Sequence, residues 1–271
     1  MSQTPFEFAP GLVVQGITPP LRLADYKLIA FDMDSTLISI ECVDEIADAA
    51  GRKAEVAAIT EAAMQGLIAD YKESLRQRVA LLKGVGTDHL ERVFTERLRF
   101  NPGAAELIAA AKAAGLATLL VSGGFTFFSD RVKAHLGIDF ARSNVLEIEN
   151  GLLTGRMVDQ AWGDICDGAE KRRTLLEVAS LMGIDARQTI AVGDGANDLP
   201  MMGAAGLSVA YHAKPAVRAQ ARVAINRVDW TGCWKCCAEH PYRSPIRAPI
   251  FIASSACQMG ASAVFYQNNK R

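Results

Sequence analysis

Leu28-Ile29-Ala30-Phe31 is an unbroken apolar run, too short for a helix and flanked by polar residues. Such a run suits a strand buried on both faces of a parallel sheet. From Ser39 to about Arg99 the pattern changes. Val43, Ile46 and Ala47, and later Leu75, Val79 and Leu82, recur at three- and four-residue spacing, the period of helices with one buried face. No strand pattern interrupts this block, which reads as a small helical bundle inserted after the first strand, with Asn101-Pro102-Gly103 marking the return. Beyond it the chain alternates. Residues 104–114, 126–136 and 170–182 read as helices with glycines at their ends, and residues 117–121, 189–192, 207–210 and 223–225 as short strands. Asn150-Gly151, set between apolar pairs, predicts a hairpin with a type I′ turn. Strands alternating with helices of this length imply right-handed crossovers and a parallel sheet. Residues 1–25, mixed in character and interrupted by Pro19-Pro20, read as a lead-in segment.

Three of these strands end in chemistry. Asp32 and Asp34 close the first, at the strand end where open α/β sheets bind ligands. If strand geometry persists through Met33 the two carboxylates share one face, and they diverge if it does not. Carboxylates that close need a shared proton or a cation between them, and hard oxygen ligands favour Mg²⁺. Ser122-Gly123-Gly124 ends the second strand. It reads either as a tight turn or as a hydroxyl with free N–H groups suited to an anion at a helix N-terminus. The turn from Gly193 to Asp198 ends another, where Asp194 and Asp198 could serve as turn and N-cap residues. Lys171 lies at the start of its helix, where the dipole disfavours a cation; a partner anion would account for it, and a solvated surface lysine is the default alternative.

Taken in this order, the motifs resemble those of the haloacid dehalogenase superfamily of phosphotransferases. Asp32, Asp34 and Thr36 match its Asp-x-Asp-x-Thr motif, Ser122 its strand-terminal Ser or Thr, Lys171 its lysine, and Gly193, Asp194 and Asp198 its acidic turn. Within the superfamily the chain resembles the phosphoserine phosphatases. The resemblance runs through the stretches 32–36, 41–45, 74–79, 121–125 and 192–198 and covers residues 24 to 228. It implies a Rossmann-like parallel sheet flanked by helices (residues 26–38 and 101–228), a helical cap of the C1 type (39–100), and hydrolysis of O-phosphoserine in serine biosynthesis. Asp32 would be the nucleophile and Asp34 the general acid and base. Mg²⁺ would be held by Asp32, Asp194 and the backbone carbonyl of Asp34, with Asp198 behind them. Ser122, Gly123, Lys171 and Asn197 would hold the phosphoryl group, while Glu41 would meet the substrate ammonium and Arg78 its carboxylate. Transfer of the phosphoryl group to an alcohol such as homoserine, hydrolysis of another small phosphomonoester, and non-catalytic capture of phosphoserine or phosphopeptides are the competing functions.

Composition adds exclusions. Half the 271 residues are hydrophobic, 22% are charged and the net charge is −1, so nothing attracts nucleic acid or an anionic membrane. No apolar run approaches the ~20 residues of a membrane span, and a cytoplasmic monomer or homodimer is expected. The lead-in is too short for the ACT-type regulatory domain that many relatives carry. Of the six cysteines, Cys42 and Cys166 are expected to be plain thiols. From about Asp229 the chain departs from the family and resembles translation in a shifted reading frame. Cys233, Cys236, His240 and Cys257 would be the ligands of a competing zinc reading, and residues 229–271 are expected to be dispensable.

Overall fold

The structure, a computed structural model, describes residues 4–64, 67–68, 70–227 and 229–230. In chain order these form β1 (Phe6–Ala9), β2 (Leu12–Val14), β3 (Leu28–Phe31), α1 (Cys42–Ala49), α2 (Lys53–Met64), α3 (Tyr71–Ala80), α4 (Thr87–Arg92), α5 (Ala104–Ala113), β4 (Ala117–Phe125), α6 (Thr126–Leu136), β5 (Phe140–Glu149), β6 (Leu152–Val158), α7 (Gly168–Leu181), β7 (Thr189–Gly193), α8 (Leu199–Ala204), β8 (Leu207–Tyr211), α9 (Pro215–Arg218) and β9 (Val223–Ile225). Among the described residues the strands make one sheet in the order β1-β2-β9-β8-β7-β3-β4-β5-β6. The run from β9 to β5 is parallel, and the outer strands are antiparallel.

Alternation along β3 sorts the layers. Ile29 and Phe31 join a core with Leu107 and Ile108 of α5 and Phe128 and Val132 of α6. Leu28 and Ala30 join a second core with Leu175 and Ala179 of α7, Met201 and Met202 of α8, and Val217 of α9. A strand covered on both sides by helices has no polar face, which is why its sequence shows no alternation. From β3 the chain builds outward through β4 and β5, then returns to build β7, β8 and β9 on the other flank. The order reverses beside β3, and the diverging loops open a crevice there.

The helical insertion leaves and rejoins the sheet through a narrow neck in which Ile38 pairs with Phe100, and the Asn101 N–H donates to the Leu37 carbonyl at 2.9 Å. Its buried residues include Val43, Ile46, Ala47, Leu75, Val79 and Leu82, the positions that carry the helical spacing. Asn150 and Gly151 both have positive φ, 51° and 76°, as the type I′ turn between β5 and β6 requires.

Two expectations are corrected. Residues 6–14, read as part of a lead-in, form a hairpin whose second strand pairs with β9 through Leu12↔Ile225 and Val14↔Val223. Strands of three and four residues are too short for alternation to declare them. Trp230, expected to lie in a dispensable tail, is fully buried. Its ring stacks on Tyr211 at 3.8 Å and meets Phe31 edge-on at 6.4 Å. The rest of the tail, including Cys233, Cys236, His240 and Cys257, lies outside the described residues.

Candidate active site

The ends of β3, β4 and β7 converge as the pattern of strand-terminal chemistry predicts. Asp32, Asp34, Ser122, Gly123 and Asn197 line one cavity with Tyr71 and Arg78 of α3. Asp32 is buried, and its N–H still follows the sheet, donating to the Val192 carbonyl at 2.9 Å. Strand geometry then stops. The strand ends at Phe31 and the chain turns over residues 34–37, with Ser35 left-handed at φ 55°, and the two carboxylates take different partners. Asp34 turns to the first residue of α1, accepting from the Cys42 N–H at 3.2 Å and the Cys42 thiol at 3.1 Å. Thr36 is buried and donates its hydroxyl to Asp194 at 3.1 Å, tying the β3 loop to the β7 loop.

On the β4 side, Ser122 Oγ accepts from the Gly124 N–H at 2.8 Å. The Gly123 carbonyl accepts from Asn144, whose own carbonyl accepts from the Cys166 N–H, both at 2.8 Å. A Cβ on Gly123 would overlap the Tyr71 hydroxyl, so a larger residue there would require the Tyr71 side chain to shift.

Lys171 is completely buried, and its Nζ lies 2.7 Å from both Asp32 Oδ1 and Asp198 Oδ1. An unfavourable place on the helix dipole costs about 0.3–1 kcal/mol, whereas stranding a buried charge costs about 3–5 kcal/mol. The two carboxylates therefore decide its position, and they hold its ammonium charged well above the ordinary lysine range against the opposing effect of burial. α7 is brought to this point by an Asp167 N-cap on the Glu170 N–H and by Gly168, where a Cβ would press on the Asn197 carbonyl at 2.8 Å. Asp198 is not an N-cap in use. Its second oxygen accepts from the N–H groups of Asp194 and Gly195 at 3.1 and 3.0 Å, which shapes the turn and spends its acceptors.

Asp32, Asp194 and Asp198 each offer an oxygen within 4.8 Å of the others. Three carboxylates against one ammonium leave two negative charges in a largely buried space. Burial, then Asp198, raise the Asp32 carboxyl well above its ordinary range, although Lys171 opposes them. The same two causes raise Asp194 to about 6. A hard divalent cation would cancel that excess, and the all-oxygen donor set suits one. With Asp198 committed to Lys171 and two N–H groups, Asp32 and Asp194 keep the free oxygens. The Asp34 carboxylate is not part of the cluster.

Glu41 is exposed, stands at the N-cap position of α1 with no hydrogen bond from its side chain to the helix, and accepts from Ser35 Oγ at 2.7 Å. Its field reaches Asp34, whose carboxyl is raised to about 7, mainly by burial and then by Glu41. A raised carboxyl binds a proton in the folded chain that the unfolded chain has released. Its stabilisation is therefore present below about pH 4 and lost as pH rises through 6 to 7. Urea denaturation of the metal-free protein should accordingly show the midpoint falling between pH 4 and 7. Asp34→Asn should make that fall shallower, the remainder coming from Asp32 and Asp194, which are raised as well, and an unchanged slope in the variant would refute the assignment.

Cys42 and Cys166 are free and buried, and burial lifts both thiols, that of Cys166 to about 12, so neither is a nucleophile at neutral pH. Sequence reasoning missed Tyr71. It follows the N-cap Asp70 at the first position of α3, with no local signal to separate it from other aromatic residues.

A family model described as haloacid dehalogenase-like hydrolase matches residues 29–203. The chain belongs to that family. It is 73% identical over 222 residues to a phosphoserine phosphatase of Albidiferax ferrireducens, an alignment that takes in 82% of this chain and 94% of the relative. Among solved structures, a phospho-aspartyl intermediate analogue of phosphoserine phosphatase matches at a TM-score of 0.69 and 40% identity, covering 75% of this chain and 95% of that one. A substrate-bound phosphoserine phosphatase complex matches at 0.67 and 38%, covering 74% and 93%. No helix among the described residues is long and apolar enough to cross a membrane.

Proposed function

We propose that this chain is a Mg²⁺-dependent phosphoserine phosphatase that hydrolyses O-phospho-L-serine through an aspartyl-phosphate on Asp32. The observation that carries the reading is the buried Asp32 carboxylate, held by Lys171 beside Asp194 at the mouth of β3, in a chain 73% identical to enzymes of that name. Asp32, Asp194 and the Asp34 carbonyl would hold Mg²⁺, which when bound offsets phosphate charge and keeps Asp32 ionised. Asp32 attacks phosphorus as the serine oxygen leaves. Asp34, retaining its proton near neutrality, gives it to that oxygen and then takes one from the water that hydrolyses the intermediate. Ser122, Gly123, Asn197 and Lys171 hold the phosphoryl oxygens.

Selectivity would come from the insertion, which excludes water while the substrate is bound. Arg78 lines the cavity and, among the described residues, makes one long hydrogen bond, 3.4 Å to the Ser74 carbonyl, so its guanidinium can fork onto a carboxylate. Glu41 would take the ammonium in place of Ser35. The test is phosphate release from a panel of phosphomonoesters with and without Mg²⁺, in the unaltered chain and in two variants. Charged hydrogen bonds are worth about 1.5–3 kcal/mol, roughly ten- to a hundred-fold. Arg78→Ala and Glu41→Gln should each lower kcat/KM for phosphoserine by that much and hardly affect p-nitrophenyl phosphate, which has neither group. Equal losses on both substrates would overturn the assignment of Arg78 and Glu41.

A further inference from the structure

Tyr71 stands apart from the residues already given roles. It sits at the first position of α3, in the insertion, yet lines the cavity with Asp32, Ser122 and Gly123 from the sheet. Its hydroxyl occupies the place where a Gly123 side chain would be, and a Cβ there would also come within 3.2 Å of the ring carbon that bears it. Electrostatically the hydroxyl is within reach of Lys171, Arg78 and Asp32. A tyrosine used only to cover apolar surface would leave its oxygen in water or on a carbonyl. This oxygen lies over the Ser122-Gly123 turn, at the edge of the phosphoryl site, with the cations Lys171 and Arg78 in electrostatic reach.

We infer that Tyr71 donates a hydrogen bond from its hydroxyl to a phosphoryl oxygen of the bound substrate, as a contact delivered by the insertion rather than by the sheet. The inference rests on the phosphoryl site proposed above and adds a residue to it. A phenol titrates near 10, so the group is a donor throughout the working range. It recognises the phosphoryl group and not the amino acid, so it acts on any phosphomonoester that fits. Arg78 and Tyr71 lie on the same helix and on the same cavity. One movement of α3 would therefore set the carboxylate contact and the phosphoryl contact together, linking recognition of the substrate's far end to completion of the reacting end.

Tyr71→Phe is the decisive variant, since it keeps the ring and removes only the donor. A hydrogen bond to a charged partner predicts a loss of roughly ten- to a hundred-fold. kcat/KM should fall by that factor on phosphoserine and by the same factor on p-nitrophenyl phosphate, and competitive inhibition by inorganic phosphate should weaken. Arg78→Ala shows the opposite pattern, with its loss confined to phosphoserine. If Tyr71→Phe matches the unaltered chain on both substrates and for phosphate inhibition, the hydroxyl does not touch the phosphoryl group and the inference is overturned. It is overturned equally if the loss is confined to phosphoserine. Should the unaltered chain hydrolyse the aryl ester and leave phosphoserine untouched, the substrate assignment fails, while the comparison on the aryl ester still decides the role of Tyr71.

Discussion

Asp32→Asn is expected to abolish phosphate release and leave the fold intact. The amide keeps the shape of the side chain and can still accept from the Met33 N–H, which donates to Asp32 Oδ1 at 2.7 Å, but it cannot form the acyl phosphate. Removing a nucleophile from a catalytic group that acts as a unit lowers kcat by roughly 10⁴-fold or more. Stability should not follow. Lys171 retains Asp198 at 2.7 Å, and the variant removes one of three mutually repelling carboxylates whose burial raises Asp32 well above its ordinary range. In the absence of metal the thermal midpoint should therefore be unchanged or higher. Added Mg²⁺ should stabilise the variant less than the unaltered chain, because a ligand stabilises in proportion to its affinity for the folded state. Turnover within tenfold of the unaltered chain would sink the covalent mechanism. A steep fall in midpoint would instead make Asp32 a structural partner of Lys171.

Asp32, Ser122 and Asp194 were legible in the sequence because each is announced by its place at the end of a strand, whereas Lys171 lies on a helix and drew notice only by its unfavourable place on the helix dipole. Asp32 follows an apolar run, Ser122 and Asp194 follow others, and a parallel sheet brings such ends to one edge whatever the intervening loops do. Helical spacing likewise located the insertion, since Val43, Ile46, Leu75 and Val79 are buried as written. Other features depend on contacts between distant parts of the chain. The separation of Asp34 from the Asp32 cluster depends on the turn over residues 34–37 and on Cys42 at the start of α1, which takes the Asp34 carboxylate, and no strand pattern records that. Tyr71 acquires meaning only when α3 is laid over Gly123. The β1–β2 hairpin exists because β9 offers it an open margin, and no local pattern records that.

Ending the chain after Arg227 is expected to destabilise it strongly, against the sequence expectation that residues from Asp229 onward can be removed. The reason is Trp230. Its indole covers Tyr211 and Phe31 on one face of the sheet and closes an apolar cavity lined by Leu23, Ile29, Val192, Val209 and Ile225. Replacing a buried tryptophan by alanine typically costs about 3–5 kcal/mol. For a domain of this size each kcal/mol lowers the thermal midpoint by about 2–4 °C, so Trp230→Ala should lower it by roughly 6 to 20 °C. Truncation after Arg227 should lower it by at least as much. The contact also reaches the catalytic loop. Trp230 Nε1 donates to the Thr36 carbonyl at 3.2 Å, beside the 2.8 Å bond from Asn101 Nδ2 to the same oxygen, and the Thr36 hydroxyl holds Asp194. Trp230→Phe separates the two roles. It keeps an aromatic ring against Tyr211 and removes the donor, at a cost of about 1 kcal/mol, so its midpoint should fall much less than that of the alanine variant. Differential scanning calorimetry on the three variants decides the matter. If truncation after Arg227 leaves both the midpoint and phosphate release unchanged, the indole contributes nothing to the fold and the sheet is complete at β9.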